Sequence, residues 1–210
     1  VLAARHALGG TGTFANPDDV EVFFDEFTFN DGQKHRLVCR VARTADGARL
    51  RVLASSVELD YVVFHFDSPL GLNCLGTSLR KRRGWMDLST VNVAPKGEVI
   101  ILQHPEGRLM KVSDGIVKPD TTVTAPGRFR YNTETGAGPS GAPVLNKARQ
   151  LVGMHVKETP NDIEELISLT AISEHLGQQQ IRLPRYPPPK AFTSRFLEML
   201  LAPQDDMAFA

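Results

Sequence analysis

The chain has 210 residues, 41% hydrophobic and 23% charged, with 24 basic and 24 acidic side chains and a formal net charge of zero. That suits one large or two small globular domains and offers no global attraction to nucleic acid or to an anionic membrane. No apolar run reaches bilayer length, and two cysteines, Cys39 and Cys74, are too few for a disulfide-stapled scaffold.

The opening segment "VLAARHAL" is an apolar, strand-like run ending at His6. It reads as the middle of a domain, so further residues are expected ahead of Val1. Short β-like runs then recur between turn residues: "DVEVFFDEFTF", "HRLVCRVAR", "ARLRVLASS", "LDYVVFHFD", "GEVIILQHP", "DGIVKP" and "QLVGMHV". Glycine, proline, asparagine and aspartate cluster at the breaks, as in "NDGQ", "ADG", "HPEG" and "APG". In the second run, alternation places Leu37, Cys39 and Val41 on one buried face. Many short strands without long helices between them predict an all-β sandwich or barrel.

Helical signals come late. "SEHLGQQQ" predicts a short helix with Ser173 as its N-cap. "RLPRYPPPK" reads as an extended proline linker. Beyond it, "AFTSRFLEMLLA" puts Phe192, Phe196, Leu197, Leu200 and Leu201 near one face of a short amphipathic tail helix, without the basic polar face of a membrane-surface segment. The organisation expected is a globular domain over 1–178, with halves of roughly 1–75 and 76–178, followed by linker and tail over 179–210.

The chemistry concentrates in "TGAGPSGAPVLN", residues 135–146, where Ser140 sits among glycines and prolines. A core strand or helix would not tolerate that composition; a loop that must bring its backbone close to something does. A serine hydroxyl becomes a useful nucleophile only with a histidine base, an orienting carboxylate and donors for the developing negative charge. His6 ends the first apolar run, and Asp60 enters the strongest strand of the chain, "LDYVVFHF". By itself "GAGPSGAP" reads as a structural loop, and a lone aspartate at a strand start as a cap. Their joint occurrence with His6 favours catalysis.

The order His6, Asp60, Ser140 is that of the chymotrypsin-type proteases. With "LAARH", "LDYVVFHF", "GPSGAPVLN", the "ILQHPEG" turn and the "QLVGMHV" strand, the chain resembles a trypsin-like serine protease over residues 1–178, from the bacterial-type branch that includes glutamyl endopeptidases and HtrA proteases. The resemblance implies a chymotrypsin-like double antiparallel β-barrel, a His6–Asp60–Ser140 triad, and an oxyanion hole at the backbone N–H groups of Gly138 and Ser140. It implies a substrate-pairing edge at Met154, His155, Val156 and Lys157. It also implies an S1 pocket in which Thr135 and His155 donate hydrogen bonds to an acidic residue before the scissile bond, with Lys157 adding charge. A packed pocket wall for another side chain is the alternative reading of His155.

The chain departs from the family pattern in three places. Pro139 stands where trypsins place the aspartate that captures a newly cut N-terminus, so that mode of activation is not expected. Arg5 replaces a small residue beside His6. Only five residues precede the histidine, so the first strands are expected from a separate N-terminal fragment or a larger parent protein. No cofactor or metal is implied, because no His/Cys cluster has ligand spacing. The expected partner is a protein or peptide substrate, with no membrane, and the expected compartment is cytoplasmic. The "RKRRGW" run, 80–85, reads as a solvated loop on a neutral protein rather than a nucleic-acid patch. His104 reads as a turn residue, His65 as a strand position, and His35 and His175 as surface. The favoured function is a serine endopeptidase. The alternatives are an inactive protease-fold binding module or a nucleic-acid-binding protein that uses the 80–85 loop.

Overall fold

A computed structural model describes residues 1–9, 14, 16, 20–28, 34–43, 47, 51–66, 86, 88, 91–108, 110–119, 126–159 and 163–182. The 80–85 run, the proline linker and the tail helix expected from the sequence lie outside them.

Among the described residues the first half holds five strands: β1 (Leu2–Ala4), β2 (Glu21–Thr28), β3 (Lys34–Arg40), β4 (Val52–Ser56) and β5 (Tyr61–Phe64). β5 is central, antiparallel to β1 on one side and to β4 on the other. That position explains its unbroken apolar run, since all four of its residues are buried. β2 and β3 pair as a hairpin, tied to the β5 side by a bridge between Val41 and Phe66. Val41, Val62 and Phe64 form a cluster with Ala3, Val22, Val52 and Phe66 around it. Cys39 and Val41 are both buried, as their alternation requires. Among the described residues these strands form a three-stranded sheet, β1-β5-β4, and the β2-β3 hairpin.

The second half closes. Strands β6 (Glu98–Gln103), β7 (Lys111–Val117), β8 (Arg128–Asn132), β9 (Pro143–Asn146), β10 (Leu151–Thr159) and β11 (Ile163–Ser168) form a six-stranded antiparallel barrel in the order β10-β11-β8-β7-β6-β9. Val99, Val117, Tyr131, Val144, Val152 and Leu166 fill it.

Helix α1 (Leu169–Gln178) follows β11 directly. Its N-cap is Ser168, whose hydroxyl accepts from the Ala171 N–H, so the helix begins upstream of the expected Ser173. The apolar residues Leu169, Ile172 and Leu176 face inward. His175, expected at the surface, is half-buried instead, with Nδ1 2.6 Å from the Tyr61 hydroxyl.

The two halves share one core. Ala4, Ala54, Leu59, Tyr61 and Val63 from the first half pack with Met154, Val156 and Ile167 from the barrel, and with Ile172 and Leu176 from α1. This contact brings β1, and with it His6, against β10.

Candidate active site

His6 follows β1 in a short 3-10 turn, Arg5–Leu8. Three hydrogen bonds fix it to Asp60. The Arg5 N–H donates to the Asp60 carbonyl at 3.0 Å, the His6 N–H donates to Asp60 Oδ1 at 3.0 Å, and His6 Nδ1 lies 2.6 Å from Asp60 Oδ2. Asp60 ends the turn before β5 with φ 52°, a left-handed conformation that aspartate tolerates better than most residues. That turn is held by the Leu59 N–H donating to Ser56 Oγ and the Asp60 N–H donating to the Val57 carbonyl. The carboxylate is thus aimed by its own backbone rather than by chance rotamer choice. Arg5, the unexpected neighbour, is buried, with its guanidinium 5.2 Å from the Phe14 ring centre.

Ser140 is half-buried on the loop between β8 and β9. The loop is clamped on both flanks. On one side the "HPEG" turn supports it: the Glu106 N–H donates to the Ala137 carbonyl at 2.7 Å. On the other, β10 holds it: the Gly141 N–H donates to the His155 carbonyl at 2.8 Å, and the His155 N–H donates to the Ala142 carbonyl at 2.9 Å. Gly138 (φ 101°) and Gly141 (φ 95°) take conformations that side chains resist. A methyl group on Gly141 would lie 3.3 Å from Ala4 N, so the residue after the serine packs directly on the histidine strand.

The Ala137 carbonyl points to Glu106, and the following peptide is trans, so the Gly138 N–H is turned the opposite way. Among the described residues neither the Gly138 nor the Ser140 N–H has a protein partner. Ser140 makes no hydrogen bond to His6 in this arrangement; its neighbour Gly141 packs against Ala4, two residues before His6.

Thr135 and His155, expected from the sequence at the S1 pocket, both face Glu164 of β11. His155, 1% exposed, sets Nδ1 2.8 Å from the Tyr131 hydroxyl and Nε2 3.6 Å from Glu164 Oε2. The Thr135 hydroxyl donates to Glu164 Oε1. Burial, helped by the nearby charge of His6, lowers the His155 pKa to about 4. Glu164 pulls the other way, but 3.6 Å is beyond hydrogen-bonding range and burial wins. Burial first, and then the Glu164 charge, push the Tyr131 pKa up, so Tyr131 keeps its proton. Of the two neutral tautomers, the one with the proton on Nε2 faces an N–H toward the carboxylate; the other would face a lone pair toward it.

Met154 and Val156 point into the core shared by the two halves, 2% and 1% exposed, so only their backbone is left for a ligand. Lys157 pairs with Glu165 in the backbone register; its side chain lies outside the described residues. Over 157–159, β10 is paired on the β11 side, with Val156 in a bulge, and among the described residues no strand occupies its other edge.

Sequence reading missed Glu164, although a signal was present. "IEELIS" contains two consecutive glutamates, and in any strand one of two consecutive residues must face inward. Glu164 shares the inward face with Leu166. Glu165 turns outward to Arg128, 3.2 Å away. Gln103 was missed as well: buried at the end of β6, it donates to Ser113 Oγ and to the Glu134 carbonyl, fixing the start of the Thr135 loop. A cavity of about 630 Å³ between the 56–59 turn and α1 contains none of His6, Asp60 or Ser140.

Two halves built from antiparallel strands, one of them a closed barrel, with a carboxylate-held histidine on the first and a glycine-bracketed serine on the second, define a chymotrypsin-like protease. The sequence matches the family model described as the trypsin-like peptidase domain over residues 1–154, and the chain belongs to that family of serine endopeptidases.

Solved structures agree on the fold. The apo MamO protease domain from Magnetospirillum magneticum superposes with a TM-score of 0.51 at 14% identity, covering 84% of this chain and 82% of that one. The serine endoprotease from Yersinia pestis gives 0.51 at 16% identity, covering 86% of this chain and 53% of that one. No curated protein matches the sequence. Among the described residues no helix is long and apolar enough to cross a membrane.

Proposed function

We propose that the protein cleaves peptide bonds through an acyl-enzyme, with Ser140 as nucleophile, His6 as general base and Asp60 as the group that orients it. The observation behind this reading is the 2.6 Å contact from His6 Nδ1 to Asp60 Oδ2. A carboxylate accepting the Nδ1 proton leaves the Nε2 lone pair as the base, and the charge stabilises the imidazolium formed when Ser140 gives up its proton. The Gly138 and Ser140 N–H groups supply the donors for the tetrahedral oxyanion, each worth roughly 10²–10³ in turnover. The peptide adds as a strand along 156–159 of β10. His6 then returns its proton to the leaving amine, and water repeats the sequence on the acyl-enzyme.

Thr135 and His155 remain the proposed pocket residues, but their contacts weigh against the acidic preference expected from the sequence. Both of their donors already face Glu164. The wider role proposed is that of an effector module within a larger protein, acting on a protein or peptide substrate. The test of the catalytic reading is labelling by a fluorophosphonate probe together with peptide cleavage. Both should vanish in Ser140→Ala without loss of folding, since a half-buried loop hydroxyl contributes little packing. Unchanged cleavage by the Ser140→Ala protein would overturn the assignment.

A further inference from the structure

The cavity of about 630 Å³ between the 56–59 turn and α1 has the size of a ligand pocket, roughly 300–1,000 Å³. Leu59, Val93, Phe129 and Ala171 give its walls an apolar surface. Glu58 on the turn and Glu174 on the helix add two exposed carboxylates. Among the described residues neither carboxylate has an ion-pair partner, and no lysine or arginine lines the cavity. Arg128 reaches the turn through Nη2, which donates to the Glu58 carbonyl, but its charge is matched by Glu165 at 3.2 Å. His175, also in the lining, is tied through Nδ1 to the Tyr61 hydroxyl. We propose that this cavity is a docking site for a peptide segment bearing a lysine or arginine side chain, separate from the cleavage site.

Ser168 gives a second, independent sign of a ligand. It is 4% exposed yet lines the cavity; its oxygen accepts from the Ala171 N–H, and among the described residues its hydroxyl proton has no acceptor. A buried donor of this kind costs free energy until an acceptor arrives. A simple amine brings the charge but no acceptor. An anion brings acceptors but meets two carboxylates. A peptide with a long basic side chain brings both. Its stem packs on the apolar wall, its cationic head meets Glu58 and Glu174, and a backbone carbonyl accepts from Ser168. The exposed Gln178 amide offers both a donor and an acceptor to the rest of the peptide backbone. His6, Asp60 and Ser140 do not line this cavity, so a segment held there is not the one being cut.

The experiment uses the Ser140→Ala protein at pH 7.5 with a fluorescein-labelled Gly-Leu-Arg-Leu-Gly peptide and its citrulline counterpart. Citrulline keeps the shape of arginine without its charge. Fluorescence anisotropy should show the arginine peptide binding about tenfold more tightly, with the ratio shrinking as salt is raised. Glu58→Gln combined with Glu174→Gln should bring that ratio close to one. Amide chemical shifts locate the peptide with the cavity unaltered, and those of Thr170 and Ala171 should move on titration. No binding at about 1 mM peptide overturns the proposal, as does binding without preference for arginine. An undiminished preference in the folded double variant also overturns it. So do shifts confined to the Ser140 loop and β10, which would place the peptide in the cleavage site alone. Binding decides this inference, whereas cleavage and probe labelling decide the catalytic reading.

Discussion

Asp60 tests the chemistry without disturbing the backbone. Its φ of 52° lies in the left-handed region, where asparagine is as comfortable as aspartate. Asp60→Asn should therefore leave the turn and the melting temperature nearly unchanged. It removes the charge and the tautomer preference at His6, and turnover should fall by about 10³–10⁴, the scale seen when a triad carboxylate is neutralised. Steady-state kinetics checks this; a folded Asp60→Asn protein within tenfold of the parent would remove Asp60 from the triad. Gly141 tests the geometry instead. Alanine there must hold φ 95° and would crowd Ala4 N at 3.3 Å, so either the Ser140 loop or β1 must shift. Such backbone strain costs about 1–3 kcal/mol. Because a small displacement between nucleophile and base is amplified in rate, Gly141→Ala should slow probe labelling by a larger factor than its loss of stability suggests. Labelling at the parent rate would mean the close approach to β1 is not what aligns the site.

At the scale of elements, the helix boundary gives a clean contrast between two serines. Ser168 accepts from the Ala171 N–H at 3.2 Å and caps α1, whereas Ser173 lies inside the helix. Ser168→Ala should cost about 1 kcal/mol and Ser173→Ala close to nothing, read from urea midpoints. Equal losses would contradict the assigned cap. The misreading is instructive, because "SLTAISEHL" contains two serines that could start a helix, and tertiary packing of Leu169 and Ile172 decided between them. The same logic sorts the strands. β5, β6 and β10 were legible because their apolar or alternating runs need no neighbour to be recognised. β8 ("RFRYN") and β11 ("IEELIS") were not, because their charged residues are satisfied by partners on other elements: Glu165 pairs with Arg128 at 3.2 Å across the two strands. β9 was hidden for a different reason, lying in the proline-rich continuation of the Ser140 loop. His6, Asp60 and the "GPSGAP" loop could be read as residue types in order. The partner of Thr135 could not, since a strand that had not been recognised supplies it.

For the whole molecule, the two halves stay together through one shared core, and the barrel half keeps a neutral histidine in its interior. His155 is held at a pKa of about 4, against an ordinary value of 6.5, chiefly by burial. The unfolded chain therefore binds a proton between these limits that the native protein refuses. The stabilisation linked to His155 is complete above about pH 6.5 and is lost progressively as pH falls toward 4. Its full size is roughly 3 kcal/mol, from about 1.4 kcal/mol per pKa unit. His65, whose pKa is also lowered by burial and by Arg51, adds in the same direction but is only half-buried. Urea denaturation at pH 7.5, 5.5 and 4.5 should show a falling midpoint with an unchanged m-value. His155→Gln removes the titrating group at similar polarity. It should be less stable at pH 7.5, where it leaves the Tyr131 hydroxyl and the Glu164 carboxylate with a poorer partner, yet its midpoint should decline less on acidification than that of the parent. A wild-type midpoint that stays flat from pH 7.5 to 4.5, or an equal decline in the His155→Gln protein, would show that His155 is not the group whose burial sets the acid limit of this fold.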